Sequence, residues 1–234
     1  MEWRSFQAAG VGPILMAVAR PAGKGPFPAI VILHGSHGFA REYVELAKEL
    51  SHAGVVAVAP CWFAPGEGAG MNFISPLDCP AGTPKLSTHQ SEKSGRTINA
   101  VVDAVRNLPG VRADQVALFG HSRGGGAAWN YVLHGGKAQA LILNSAGYTD
   151  ELIQAAVKFD APVLILHGEK DTVGPMTNVQ RARKFETALR KAGREVDAVY
   201  YPGGEHGSFF ISPSQHADEI ERMRAFLRQN LRRN

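Results

Sequence analysis

Val116-Ala117-Leu118-Phe119-Gly120-His121-Ser122-Arg123-Gly124-Gly125-Gly126 decides how this chain folds. Residues 116–119 form a short apolar run, which predicts a buried strand. The run stops at a serine with a glycine two residues to either side. Ala127 to Leu133 then reads as a helix. Strand, sharp turn and helix are the setting in which Gly-x-Ser-x-Gly becomes a nucleophile elbow. The serine at the tip is held in a disfavoured backbone conformation. Its neighbours two residues away have to be small, because strand and helix nearly touch there. The helix start aims N–H groups and the positive end of its dipole at the serine. With 26 glycines in 234 residues the pentapeptide alone is weak, so its surroundings have to carry the case.

Upstream, Met1 to Gln7 and Ile14 to Arg20 read as strands joined by Gly/Pro turn chemistry. Ala29 to Leu33 is continuously apolar and β-branched, as suits a strand covered on both faces, and it ends at His34-Gly35-Ser36-His37-Gly38. A helix carrying Tyr43, Leu46, Ala47 and Leu50 follows, with Gly54 as its stop. Val55 to Ala59 is the next strand. Residues 60–95 read as one long loop rich in Gly and Pro, with Trp62, Phe63, Met71 and Phe73. A loop of that length is either a wall or small lid beside a site, or an excursion whose aromatics pack on the core. A helix from Thr97 to Leu108 precedes the elbow.

Downstream, Ala140 to Leu143 is a strand ending at Asn144. A small helix over 151–157 leads to the strand Ala161 to Leu166, which ends at His167-Gly168-Glu169-Lys170-Asp171. Pro175 is read as the start of a helix that turns Val179, Ala182, Phe185 and Leu189 inward. Val196 to Tyr201 is the last strand and ends at Pro202-Gly203-Gly204-Glu205-His206-Gly207. The closing helix starts near Pro213 and buries Ile220, Met223, Phe226, Leu227 and Leu231. Alternation of strand and helix from residue 29 onward predicts an α/β fold: one domain over 1–234, with a mostly parallel sheet of about eight strands between helices and no large cap.

In such a sheet, ligands sit outside the carboxyl ends of the strands. His34-Gly35-Ser36, Ser122, Asp171 and His206 all fall there. A hydroxyl becomes a competent nucleophile when an imidazole removes its proton, and the imidazole needs a carboxylate to fix its tautomer. The order Ser122, Asp171, His206 is the one expected on this architecture. The rival acid is Asp150, which also follows a strand. Asp160, Asp197 and Asp218 read as caps or solvated charges. His34, His37, His121 and His167 cluster near strand ends, but without His-Glu-x-x-His spacing they are read as pocket-shaping side chains, with no metal and no cofactor.

These four clusters together resemble the α/β-hydrolase superfamily and, within it, the dienelactone-hydrolase-type group, from Pro28 to the last helix. The resemblance implies Ser122 as nucleophile, Asp171 as orienting acid and His206 as general base. It implies an oxyanion hole made by the backbone N–H groups of Ser36 and Arg123. Dienelactone hydrolases proper have a cysteine where this chain has Ser122, so their lactone specificity does not carry over. His37, Trp62, Phe63, His121, Tyr148 and Phe209 are the candidate pocket residues, and Arg123 either forks onto a substrate carboxylate or faces neighbouring acids. The expected activity is a serine carboxylesterase acting on small, short-acyl esters. Lactone or thioester hydrolysis, peptidase action and ligand binding on a hydrolase scaffold stay open as alternatives.

Net charge of +4, partly from the arginines near the C-terminus, comes with no nucleic-acid motif. No apolar run approaches 18 residues, so no membrane span is expected. With no leader visible at the N-terminus, a cytoplasmic monomer or homodimer is expected. Cys61 and Cys79 lie in the same long loop. Reduced thiols and a bridge closing that loop are both open.

Overall fold

The computed structural model describes residues 1–64, 73–85 and 92–231. Met71 and the basic tail beyond residue 231 lie outside the described residues. Eight strands form one sheet: β1 (Glu2–Ala8), β2 (Gly12–Ala19), β3 (Phe27–Leu33), β4 (Val56–Pro60), β5 (Val111–His121), β6 (Leu141–Asn144), β7 (Val163–Gly168) and β8 (Val196–Tyr201). Their spatial order is β1-β2-β4-β3-β5-β6-β7-β8. β1, β2 and β4 pair antiparallel, and every pairing from β4 across to β8 is parallel.

The β-branched, unbroken apolar runs go where a strand covered on both sides is needed. Ala29 to Leu33 of β3 and Leu141 to Leu143 of β6 have no solvent exposure. Helices α2 (Glu92–Arg106), α3 (Arg123–Leu133) and α5 (Val179–Lys191) cover one face, with Ile98, Val101, Trp129 and Phe185 packed against Val31, Leu118 and Leu143. Helices α1 (Arg41–Ser51) and α7 (Pro213–Asn230) cover the other, with Tyr43, Leu46, Met223 and Phe226 packed against Ile30, Phe119 and Ile142. Two short helices, α4 (Asp150–Gln154) and α6 (Ser208–Ile211), complete the set.

Two expectations are corrected, and one short element is added ahead of a closing helix that begins at Pro213 as expected. The long loop stops short of residue 95, because α2 already begins at Glu92; that carboxylate pairs with Arg96 one turn on and suits the helix's positive end. Pro175 lies in a turn rather than opening α5. The helix begins at Val179, where the Asn178 side chain accepts the Gln180 N–H at 2.9 Å. The closing helix is preceded by α6, a single turn that follows directly on His206-Gly207. Cys61 and Cys79 are joined as a disulfide, with Cα atoms 5.9 Å apart, so the open alternative resolves to the bridge. No helix among the described residues is long and apolar enough to cross a membrane.

Candidate active site

The register of the parallel strands brings the site together. Leu33 pairs with Gly120, His121 with Asn144, and Asn144 with Leu166, so β3, β5, β6 and β7 end along one edge. β5 runs through His121, and α3 starts at Arg123, leaving Ser122 alone at the corner. Its φ of 52° and ψ of −117° lie in a region that L side chains seldom adopt. The small-neighbour rule holds physically: a Cβ on Gly120 would stand 2.3 Å from the carbonyl carbon of Gly124. The Ser122 N–H is anchored to the Asn144 carbonyl at 3.0 Å, and its carbonyl accepts the Gly126 N–H at 3.1 Å. The corner is thus held from both sides.

Asp171 and His206 come from the loops after β7 and β8. These loops lie flat on one another: Lys170 N–H donates to the Gly204 carbonyl at 2.8 Å, and a Cβ on Gly168 would sit 2.3 Å from that same oxygen. The contact delivers His206 Nδ1 to Asp171 Oδ2 at 2.7 Å, with both side chains buried. Asp171 also accepts the Val173 N–H at 3.3 Å through Oδ1, and His167 Nε2 lies 3.4 Å from Oδ2. His167 donates from that nitrogen to the Thr177 carbonyl at 2.6 Å, and burial holds its pKa below the usual imidazole value. The carboxylate can therefore fix one tautomer of His206, with the proton on Nδ1 and a lone pair on Nε2. The His206 ring lies 5.1 Å from that of His121, the residue before Ser122. Among the described residues no hydrogen bond joins the Ser122 hydroxyl to His206; such contacts often tighten only once substrate is bound.

The rival carboxylates are engaged elsewhere. Asp150 is exposed and paired with Arg181, Asp160 with Arg194, and Asp218 with Arg222 and the Tyr201 hydroxyl.

The turn after β3 is propped from below. The Tyr43 hydroxyl, on α1, accepts the Gly35 N–H at 3.0 Å and contacts His37 Nε2 at 2.5 Å. That bond takes the Gly35 donor, and the next N–H in the chain belongs to Ser36, which is exposed to solvent. The histidines expected to shape the pocket are buried and held neutral. Burial pushes His34 down to about 3 and His37 down to about 4, and drives His121 far below the usual value. Their partners are the Gly35 carbonyl, Tyr43 and Asn144 respectively. Among the described residues no group of three or more His, Cys, Asp or Glu is arranged to hold a metal ion.

Other candidates land behind the site. Trp62 and Phe63 are fully covered, packed edge to face with each other and beneath the His34 ring, and the Arg123 guanidinium lies 4.5 Å above Phe63. Tyr148 and Phe209 are buried against Phe185 and Phe119. Two other aromatics pack around the loop that carries His206. Phe73 packs against Gly207, where an added Cβ would meet its ring at 2.6 Å, and it stacks on Phe210. Phe210 in turn meets the rings of His37 and His121 edge on. Phe210 was legible only as the second of two phenylalanines after the histidine loop; its direction depends on α6, which the sequence did not announce.

A strained serine corner at the end of β5, a His–Asp pair on the last two strand loops and an eight-stranded mostly parallel sheet define an α/β-hydrolase arrangement. Residues 14–230 match the model of the dienelactone hydrolase family, and the chain belongs to that family. A Yersinia pestis protein named as a candidate carboxymethylenebutenolidase is 23% identical over 84% of this chain and 74% of its own length. A Bradyrhizobium protein named as a probable 2-oxo-3-(5-oxofuran-2-ylidene)propanoate lactonase is 22% identical over 88% of this chain and 83% of its own. Among solved structures, a candidate dienelactone hydrolase from Klebsiella pneumoniae superposes with a TM-score of 0.76, at 21% identity, over 97% of this chain and 98% of that one. A propionate-bound esterase from Thermogutta terrifontis gives a TM-score of 0.71 at 18% identity, over 100% of this chain and 96% of that one.

Proposed function

We propose that this protein is a serine carboxylesterase acting through an acyl-enzyme, with Ser122 as nucleophile, His206 as general base and Asp171 as orienting acid. The observation that carries the reading is the 2.7 Å bond from His206 Nδ1 to Asp171 Oδ2, formed at the same sheet edge as the strained Ser122. His206 Nε2 takes the proton of the hydroxyl as Ser122 attacks an ester carbonyl. The oxyanion forms against the backbone N–H groups of Ser36 and Arg123, whose worth lies in the charge that develops there, roughly 3 kcal/mol for one such donor. Collapse expels the alcohol, which takes the proton back from His206. Water then repeats the cycle in reverse roles and releases the acid.

Substrates are small, soluble and short in the acyl group. In support, the His206 ring lies against that of His121, which packs in turn on His37 and Phe210, with Phe73 on both of these, so the rings at this edge are close-set. Lactones are the second reading, because two relatives are named for lactone chemistry and opening a cyclic ester uses the same groups.

The test is turnover of nitrophenyl acetate, butyrate and octanoate, with a set of five-membered lactones beside them, by wild type and Ser122→Ala. The expectation is preference for acetate or butyrate and a loss of at least about 10³-fold in kcat on removing the hydroxyl. Equal rates in the two proteins would exclude the serine mechanism.

A further inference from the structure

The mechanism above leaves a wholly buried carboxyl group unused. Glu219 lies on the inward face of α7, beside Ile220 and Met223, with no solvent exposure. Its Oε2 accepts an N–H from Asn144 Nδ2 at 2.5 Å, and its Oε1 accepts one from Gln215 Nε2 at 2.7 Å. Asn144 ends β6 opposite His121, and its Oδ1 lies 2.6 Å from His121 Nδ1. The His121 ring is packed among those of His206 at 5.1 Å, His37 at 5.4 Å and Phe210 at 4.9 Å.

Such a chain has a direction. A carboxamide offers donors at one end and an acceptor at the other, so what it meets on one side decides what it presents on the other. An ionised Glu219 offers lone pairs only. Asn144 then turns its NH2 to Glu219 and its carbonyl to His121, which must carry its proton on Nδ1. His121 Nε2 is left with a lone pair, and that atom is buried with no hydrogen-bond partner among the described residues. A protonated Glu219 keeps one accepting oxygen and gains one O–H, and with the proton on Oε2, the oxygen facing Asn144, it donates there. Asn144 would turn over, and the His121 proton would reside on Nε2.

We propose that Glu219 is a positioning residue for the catalytic centre, which through Asn144 dictates which nitrogen of His121 carries the proton in the ring packed against His206. The inference rests on the triad reading given above. A lone pair on His121 Nε2 adds negative potential beside His206 and favours the imidazolium that forms during attack, whereas an N–H there opposes it.

The surroundings of Glu219 set where the change falls. Burial pushes its carboxyl up to about 8, and Asp218 adds to that, while Gln215, His216 and Asn144 act against it. Tyr201 of β8 and Arg222 are both occupied with Asp218, and His216 is held by Glu49 of α1. Among the described residues no lysine or arginine ion-pairs with Glu219.

Glu219→Gln keeps the shape and cannot ionise. The experiment records 15N shifts of the His121 ring and the pH profile of nitrophenyl acetate hydrolysis from pH 6 to 10 for both proteins. In wild type the His121 proton should pass from Nε2 to Nδ1 as pH rises, with kcat rising about tenfold over the same interval and KM unchanged within about twofold. In Glu219→Gln the tautomer should be the same at both ends and that rise absent. A wild-type His121 tautomer that does not change with pH, or a Glu219→Gln profile superimposable on wild type, overturns the proposal. The ring shifts are read whether or not ester is turned over, so loss of the triad reading by Ser122→Ala shows separately.

Discussion

Gly124, on the first turn of α3, lies so close to Leu33 at the end of β3 that a Cβ built on it would stand 2.0 Å from the Leu33 carbonyl oxygen. The atom in the way is backbone, in the central strand of a covered sheet, so it cannot yield. The contact is what lets α3 start directly beneath the serine corner.

Gly124→Ala should therefore fail structurally and not only catalytically. Overpacking against fixed backbone is among the few causes of very large destabilisation, roughly 4 kcal/mol or more. In a domain of this size that corresponds to a fall in Tm of roughly 10 °C, read by circular dichroism. Gly95 makes the opposite control. It lies inside α2 with nothing within 4 Å of an added Cβ, so Gly95→Ala should stabilise the fold by about 1 kcal/mol of helix propensity and raise Tm by roughly 3 °C.

Asp171→Asn and Asp150→Asn separate the two candidate acids. The first replaces the acceptor that holds His206 Nδ1–H and should lower kcat by about 10³- to 10⁴-fold with the fold retained. The second touches an exposed pair with Arg181 and should leave kcat within about twofold of wild type. Equal losses from both, measured on nitrophenyl acetate, would return the assignment of the acid to an open state.

Stability should fall steeply as pH drops below about 6.5. His34 and His37 are held neutral in the fold, with pKa values of about 3 and about 4, and His121 and His167 are lowered for the same reason, burial. In the unfolded chain all four return to the ordinary imidazole value. The unfolded state then binds more protons between pH 4 and 6.5, so stability is lost as pH falls through that window, by roughly 3 kcal/mol for His37 alone at its lower end. Glu219 works the other way. Its raised pKa favours the fold below about 4.5 and removes that contribution as pH rises through about 8. One carboxyl is outweighed by four imidazoles on the acid side, so urea midpoints measured at pH 7, 6, 5 and 4.5 should decline. A flat series would contradict this account of the buried histidines.

The sheet was legible because its strands are short, β-branched and bounded by helix patterns of period 3.6, which is local information. The elbow was legible for the same reason: Gly120, Ser122 and Gly124 are close in sequence and their constraint is steric. Pairing between Asp171 and His206 was readable from their places after successive strands, since topology fixes where those loops lie. The aromatic surroundings were not. Trp62, Phe63, Tyr148 and Phe209 all lie in segments that follow strand ends at this edge, yet each is buried, and nothing local says which way such a side chain turns. Glu219 did carry a signal, a carboxylate on the face of α7 that also holds Ile220, Met223 and Phe226. Its meaning depended on Asn144, 75 residues away.

Tyr43 supports the Gly35–His37 turn from underneath, through two bonds to a helix that belongs to the core. The turn's compliance is therefore inherited from α1. Randomising positions 35–38 would itself disturb the turn, because it removes the His37–Tyr43 bond and an added Cβ at Gly35 would meet the His37 ring at 2.8 Å. To shift the Ser36 amide by a fraction of an ångström with the turn's own bonds intact, the productive positions are those under the helix, where Leu46, Ala47 and Leu50 meet the sheet.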